Sequence, residues 1–150
     1  MIANLFYSSL IIVCCVFIQT LFVAILLRIF IRLDEKGLIR MSIFRSSLLL
    51  SLITLIMLIG NLVQIAIWGG FFIVIGEFSD MFQAFSHSAV NFTTLGYGDV
   101  VMSQERRILG ALEAANGMVM FGVTTSVLFS FMSILIKRRS IKESRSLPIE

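Results

Sequence analysis

The stretch of sequence that decides the fold is 79–99, SDMFQAFSHSAVNFTTLGYGD, which lies between two long apolar runs. Residues 79–92 are predicted to form a helix of about 14 residues, roughly 21 Å long at the standard rise. Ser79 is its predicted N-cap, and Asp80 in the first turn suits the positive end of the helix dipole. This helix is too short to cross a bilayer, whose hydrocarbon core is about 30 Å thick.

Three long runs of the chain contain almost no charged residue. Residues 1–27 and 46–76 contain none, and residues 108–136 contain only Glu113. Hydrophobic residues make up 58% of the chain and charged residues 14%, whereas soluble domains have about 45–50% and about 25%. A membrane-spanning helix needs about 20 mainly apolar residues. We therefore predict three transmembrane helices, at about 5–27, 46–75 and 107–136.

The first apolar run is predicted to remain in the protein as a helix. A cleaved signal peptide begins with basic residues and has a shorter apolar core, whereas residues 1–9 contain no basic residue. Cys14 and Cys15 lie inside this run. We interpret them as small apolar residues that pack in the membrane rather than as a disulfide or metal ligands.

The basic residues predict the orientation in the membrane. Ten of the twelve lie between the first two helices or after the third: Arg28, Arg32, Lys36, Arg40, Arg45, Lys137, Arg138, Arg139, Lys142 and Arg145. The positive-inside rule places both segments in the cytoplasm. We therefore expect a multi-pass protein of the plasma (inner) membrane, with the N-terminus outside and the C-terminus cytoplasmic. The four-residue spacing from Arg28 to Arg40 indicates a basic face at the membrane surface rather than a voltage sensor.

In this topology both ends of segment 76–107 lie outside, so the short helix has to enter the membrane and return on the same side. Irregular backbone at membrane depth is tolerated only where it is buried in protein or lines a water-filled cavity. The pattern therefore predicts a re-entrant pore helix followed by a pore loop.

Residues 93–99, TTLGYGD, resemble the selectivity filter of tetrameric potassium channels, whose typical motif is TVGYG. Leu95 stands where that motif has Val. Glycine adopts positive φ at little cost, so Gly96 and Gly98 allow successive carbonyls to point the same way and replace the hydration shell of an ion. The resemblance covers roughly residues 46–136.

The resemblance implies an all-α membrane protein with three transmembrane helices, a re-entrant pore helix and a filter loop. It implies a fourfold-symmetric homotetramer, since each chain supplies one of four loops. K⁺ would bind to the carbonyls of Thr94, Leu95, Gly96 and Tyr97 and to the Thr94 hydroxyl, within an ion-binding segment that also includes Gly98. Tyr97 would brace the loop from behind, and Asp99 would attract cations at the outer mouth.

The resemblance also implies a domain organisation. Residues 1–45 hold the N-terminal helix and a basic cytoplasmic loop, 46–136 form the potassium channel pore domain, and 137–150 form a short basic cytoplasmic tail. The pore domain divides into an outer helix at 46–75, the pore helix at 79–92, the filter at 93–99 and an inner helix at 107–136. The first helix packs peripherally, contacts a neighbouring subunit or sets the insertion topology, and the sequence does not choose among these.

One face of the third transmembrane helix is predicted to line the cavity and the inner gate. Its residues follow helical spacing, and Gly117 precedes them near the position of the family's bending glycine: Met118, Phe121, Thr125, Phe129 and Met132. Phe129 and Met132 are candidates for a hydrophobic constriction. The alternative is that this stripe packs against the second helix.

Four residues are candidates for support of the filter or for the outer mouth: Thr93, Asp99, His87 and Glu113. His87 either hydrogen-bonds near Asp99 behind the filter or has a structural role in the pore helix. Glu113 is the one ionisable residue inside a predicted span, and such residues are functional by default. It supports the filter, pairs with Arg106 or Arg107, or lies exposed near the outer interface.

The predicted function is passive, potassium-selective conduction across a membrane. A non-selective cation channel and a regulatory subunit that does not conduct alone are the alternatives. An enzyme is not expected, because the chain has a single His and lacks a nucleophile–base arrangement or paired carboxylates in one cleft. The expected partners are K⁺, the lipid bilayer and further copies of the chain, with no cofactor and no nucleic acid.

Overall fold

The chain is all-helical in the part that its structure, a computed structural model, describes. The description covers residues 2–35 and 43–145. Four helices follow one another: α1 (Ile2–Glu35), α2 (Ile43–Val74), α3 (Met81–Phe92) and α4 (Arg107–Arg145). The predicted all-α fold is confirmed. The basic residues Lys36 and Arg40 and the tail side chains from Arg138 onward lie outside the described residues.

Three of these helices are long and apolar enough to cross a membrane. The candidate spans are Asn4–Leu33, Phe44–Val74 and Arg107–Lys137, with mean hydropathies of 3.0, 2.3 and 2.1. Only 17%, 33% and 11% of their apolar windows are buried inside the chain. Large exposed apolar surfaces are unfavourable in water, whereas hydrocarbon solvates them. The prediction of three transmembrane helices is therefore confirmed.

The long helices extend beyond the apolar runs that predicted them. Helix α1 continues to Glu35, eight residues past the predicted end at 27, and α4 continues to Arg145 instead of 136. Hydropathy marks only the part of a helix that lies in hydrocarbon. Backbone hydrogen bonding continues through charged residues such as Arg28 and Arg32, which keep their charge at the membrane surface.

The short helix α3 begins later than predicted, and its N-cap is Asp80 rather than Ser79. The Asp80 carboxylate accepts a hydrogen bond of 2.9 Å from the backbone N–H of Gln83. A carboxylate at this position satisfies a free N–H and also neutralises the helix dipole, so it is the stronger cap of the two. The helix has 12 residues, which corresponds to about 18 Å.

Helix α3 packs between α2 and α4, while α1 packs against the same two helices. A side chain at Gly69 would come within 3.2 Å of the Phe85 backbone, so α2 and α3 lie in close contact there. One apolar cluster around Trp68, Phe72 and Phe92 joins α2, α3 and α4. A second cluster joins α1, α2 and α4 nearer the C-terminal end of α4.

Helix α1 packs against α2 and α4 of its own chain. Asn4 at its start donates a hydrogen bond of 3.3 Å to the carbonyl of Glu105. Cys15, midway along α1, is fully buried in the first cluster, whereas Cys14 is exposed. Leu26 and Phe30 belong to the second cluster. Contacts thus follow α1 along most of its length.

Candidate functional site

The 93–99 loop begins as the cap of helix α3. The N–H of Thr94 donates to the carbonyl of Asn91 at 2.8 Å, and the N–H of Leu95 donates to the carbonyl of Val90 at 2.9 Å. This pair of bonds is a Schellman motif, in which the C′ residue adopts a left-handed conformation and is usually Gly. Here that residue is Thr94, with φ of 60°.

Positive φ recurs at every second residue of the loop. Thr94, Gly96 and Gly98 have φ of 60°, 60° and 75°, and the residues between them do not have positive φ. An ordinary strand directs successive carbonyls to opposite sides, whereas this alternation directs them to one side. A row of backbone oxygens of this kind replaces the hydration shell of a cation in a channel filter. Thr94 was not predicted to be left-handed, because a β-branched residue rarely adopts that conformation.

The loop side chains make few contacts within one chain. Leu95 and Tyr97 are 58% and 72% exposed, so the predicted contact of Tyr97 behind the loop is not made inside the protomer. A cleft of about 380 Å³ lies behind the loop. Its lining includes His87, Asn91, Gly96 and Gly98.

His87 connects α3 to the end of the loop. Its Nδ1 lies 2.9 Å from the carbonyl oxygen of Val100, and its Nε2 lies 2.8 Å from the amide nitrogen of Asn91. Both contacts are satisfied when a neutral imidazole donates from Nδ1 and accepts at Nε2. The ring contacts Val100, next to Asp99, rather than Asp99 itself. Burial lowers the pKa of His87, against the opposing influence of the Val100 carbonyl and of the carboxylates of Glu77 and Asp99.

Glu113 lies in α4 and reaches the middle of α3. Its side chain is fully buried, and its Oε1 forms a hydrogen bond with the hydroxyl of Ser88. Ser88 also lies 2.8 Å from the carbonyl of Ile65 in α2, so one hydroxyl connects three helices. The alternatives of exposure and of pairing with Arg106 or Arg107 are wrong, since Glu113 is buried and, among the described residues, the one ion pair is that of Arg106 with Glu77.

The other support candidates keep to local contacts. The hydroxyl of Thr93 donates 2.6 Å to the carbonyl of Ala89, one turn back in α3. Asp99 is exposed and accepts from the N–H of Val100 at 3.0 Å. Both residues therefore shape the two ends of the loop.

Gly117 marks the crossing of α4 over the end of α3. A Cβ at this position would overlap the carbonyl oxygen of Phe92 and lie 2.8 Å from its carbon. Phe92 itself is fully buried and contacts the ring of Phe121 at 5.8 Å. Gly117 therefore has a packing role, in addition to any bending role that the resemblance implies.

The predicted cavity face of α4 is exposed in the single chain. All five of its members are accessible: Met118, Phe121, Thr125, Phe129 and Met132. The α4 residues that pack against α1 and α2 are others, among them Phe131 and Val127. In a single chain this stripe therefore does not pack against α2, which was the alternative prediction.

Residues 60–134 match a family model described as Ion channel. The match includes the end of α2, all of α3, the 93–99 loop and most of α4. The chain belongs to the ion channel family. Helix α1 lies outside the matched region of this channel. Neither a curated protein nor a solved structure matches the chain.

A second cluster holds the segment between the loop and α4 of the channel chain. Glu77 accepts hydrogen bonds from the N–H and the hydroxyl of Ser103 and forms an ion pair of 3.1 Å with Arg106. Burial raises the pKa of Glu77, but these bonds and the Arg106 charge outweigh it and hold the pKa below its ordinary value of 4.5. This cluster ties the end of α2 to the start of α4.

Several polar residues of the channel were not predicted as site residues, because the prediction rested on charged groups within the spans. Ser88 is the partner of Glu113, and the buried Gln19 and Gln64 bond to each other at 2.7 Å. Uncharged polar residues within apolar runs are themselves a signal, since hydrocarbon offers them no water to bond with. The partner of each of them, however, depends on helix rotation, which hydropathy does not reveal.

Proposed function

We propose that this ion channel conducts K⁺ selectively as a homotetramer, with four copies of the 93–99 loop forming the filter. The observation that carries the proposal is the alternation of positive φ at Thr94, Gly96 and Gly98. It aligns the carbonyls of neighbouring residues, and stacked rings of such carbonyls replace the water around a K⁺ ion. The TTLGYGD sequence of the loop supports potassium over other cations, because it retains Gly-Tyr-Gly.

Two electrostatic features support cation conduction. Helix α3 ends at Phe92, directly before the loop, so the negative end of its dipole, about half an elementary charge, points towards the ion path. Asp99 lies exposed at the other end of the loop. Four such carboxylates around one axis raise the local cation concentration.

The surfaces left open in one chain support the tetramer. One loop does not surround an ion, and four are needed for a ring of carbonyls. Tyr97 is largely exposed, the cleft behind the loop is open, and the face of α4 that carries Phe129 is uncovered. Neighbouring copies would cover Tyr97, while the α4 face would line a shared water-filled path with Phe129 and Met132 at its narrow end.

The distribution of basic residues supports a plasma (inner) membrane protein with its N-terminus outside. Arg28 and Arg32 lie at one end of α1, Arg45 lies at the start of α2, and Lys137 lies at the end of the α4 span. All four are therefore at the side of the membrane opposite to the 93–99 loop. By the positive-inside rule that side is the cytoplasm.

The experiment is a reversal-potential measurement on purified protein in a planar bilayer, with K⁺ on one side and Na⁺ on the other. We expect reversal close to the K⁺ equilibrium potential. Gly96→Ala places a Cβ at φ of +60° and is expected to abolish selective current. The matched control is Gly70→Ala, because Gly70 lies in helix α2 with open space around it. Wild-type current that does not distinguish K⁺ from Na⁺ would contradict the proposal.

A further inference from the structure

A chain of hydrogen bonds crosses the membrane-spanning part of the protein from α2 through α1 to α4. The amide nitrogen of Gln64 donates 2.7 Å to the amide oxygen of Gln19, and the amide nitrogen of Gln19 donates 3.1 Å to the hydroxyl of Thr124. The Thr124 hydroxyl donates in turn to the carbonyl of Met120 at 3.0 Å. Gln19 is 1% exposed and Gln64 is fully buried.

The donors and acceptors in this chain are mutually consistent. Gln19 uses its oxygen towards α2 and its nitrogen towards α4, and Thr124 accepts one bond while its single hydrogen serves another. These hydrogen bonds lie within the three apolar spans, where water does not compete for the bonding groups. Polar bonds between membrane helices are therefore specific for one arrangement of the helices.

The two halves of α4 are positioned by different hydrogen bonds and close contacts. The first half is held by α3, through Ser88 at Glu113 and through the Phe92 backbone at Gly117. The second half is held by α1, through Gln19 at Thr124 and through a contact of 4.9 Å between the rings of Phe30 and Phe131.

Thr124 also lies beside the predicted ion path. It directly precedes Thr125 and lies between Gly117 and the candidate constriction at Phe129. Helix α4 continues as one helix through this region, from Arg107 to Arg145. A contact that fixes Thr124 to α1 therefore stabilises the position that this part of α4 has here.

We propose that the arrangement seen here is the closed state of the channel, and that Gln19 is a positioning residue through which α1 restrains the second half of the pore-lining helix α4 in that state. This inference deepens the proposed function and rests on it for its effect on current. Helix α1, which lies outside the family match, would then oppose opening of the gate in addition to anchoring the chain in the membrane.

The first test is single-channel recording from purified protein in planar bilayers. One hydrogen bond between membrane helices contributes about 0.6 kcal/mol on average and up to about 1.7 kcal/mol. Its loss is therefore expected to raise the ratio of open to closed channels by about threefold to twentyfold. Gln19→Leu and Thr124→Val are each expected to do so without changing the K⁺/Na⁺ reversal potential. The double variant is expected to open no more than Gln19→Leu alone, because Gln19→Leu already removes the bond between α1 and Thr124.

The matched control is Thr20→Val. It replaces Thr by Val, as Thr124→Val does, but at the residue next to Gln19. The Thr20 hydroxyl is exposed and donates only to the carbonyl of Phe17 in its own helix, at 2.8 Å. Wild-type gating is expected. An equal effect of Thr20→Val, or additive effects of Gln19→Leu and Thr124→Val, would overturn the proposal.

A second measurement does not depend on conduction. Spin labels are attached to Ile31→Cys in α1 and Ile136→Cys in α4, both at exposed positions, after Cys14 and Cys15 are replaced by Ala. The distance distribution is expected to broaden in Gln19→Leu and to stay narrow in Thr20→Val. An unchanged distribution in Gln19→Leu would overturn the inference. A change in distance without K⁺-selective wild-type current would instead contradict the proposed function alone.

Discussion

The 93–99 loop and the junction of α3 with α4, which adjoins the loop at Phe92, are stabilised in opposite ways. In the loop, Leu95 and Tyr97 are more than half exposed, and Gly96 and Gly98 have open space around them. At the junction Ser88, Phe92 and Glu113 are fully buried, and Gly117 leaves no room for even a methyl group.

This difference distinguishes the region whose side-chain contacts are complete within one chain from the region whose side chains remain without such contacts. The conformation of the loop is set locally, by the cap of α3 and by positive φ, and its side chains find few partners in the same chain. The junction is complete within the chain, so it can hold α3 at a defined position before any other copy binds. Substitutions at the junction are therefore expected to reduce the stability of the fold, whereas substitutions in the loop are expected to impair selectivity.

The largest expected effect is that of Gly117→Ala at the junction. The added methyl group overlaps the Phe92 carbonyl, so α4 has to move away from α3, at a cost of about 3 kcal/mol. We expect a strong loss of folded protein, measured by thermal denaturation in detergent. Gly122→Ala is the control, because that glycine has nothing within 4 Å. Equal stability of the two variants would mean that the junction is not tightly packed.

A smaller loss is expected for Ser88→Ala. It removes the hydrogen-bond partner of Glu113 and leaves a buried carboxyl group unpaired, which costs about 1–3 kcal/mol. The measurement is again the free energy of unfolding in detergent. Ser86→Ala is the control, since Ser86 makes no side-chain hydrogen bond among the described residues. If both alanine variants unfold alike, the bond between Ser88 and Glu113 contributes nothing to the junction.

In the loop, Gly98→Ala is expected to leave the fold intact and to impair selectivity. Its φ is 75° and nothing lies within 4 Å, so the cost is the left-handed strain of an L-residue, about 1–2 kcal/mol. Thermal denaturation is expected to match the wild type within that range, while the K⁺/Na⁺ permeability ratio falls. Loss of folded protein with Gly98→Ala would remove the distinction between the two regions.

The smallest effect is expected at Glu77, which ties the end of α2 to the start of α4. Its pKa is lowered below 4.5 by Ser103 and Arg106, so the ionised carboxylate stabilises the fold above pH 4.5, and this contribution disappears as the pH falls through the lowered pKa. Glu77→Gln is expected to cost about 1 kcal/mol at neutral pH. The difference from wild type is expected to vanish in acid.

The measurement for Glu77 is thermal denaturation of both proteins from neutral pH to below pH 4.5. Glu105→Gln is the control, because Glu105 is exposed and lies in the same segment. A gap between Glu77→Gln and wild type that stays constant with pH would show that the Glu77 charge is not what stabilises the segment.

The sequence by itself determined the features that depend on local composition and on length. Three apolar runs predicted three spans, because hydrocarbon excludes charge whatever the neighbours are. The short apolar stretch before 93–99 predicted a helix of less than bilayer length, and the glycines at 96 and 98 predicted a loop with positive φ. Each of these follows from a few adjacent residues.

Only the tertiary structure decided which surfaces meet. Hydropathy is nearly uniform around α1, α2 and α4, so it does not show that Gln19 points to Thr124 or that Glu113 points to Ser88. It does not show that Gly117 is packed against Phe92. The left-handed Thr94 escaped prediction because two hydrogen bonds to α3 outweigh a β-branched residue's preference. These features depend on helix rotation and on contacts between distant residues, which only the folded chain specifies.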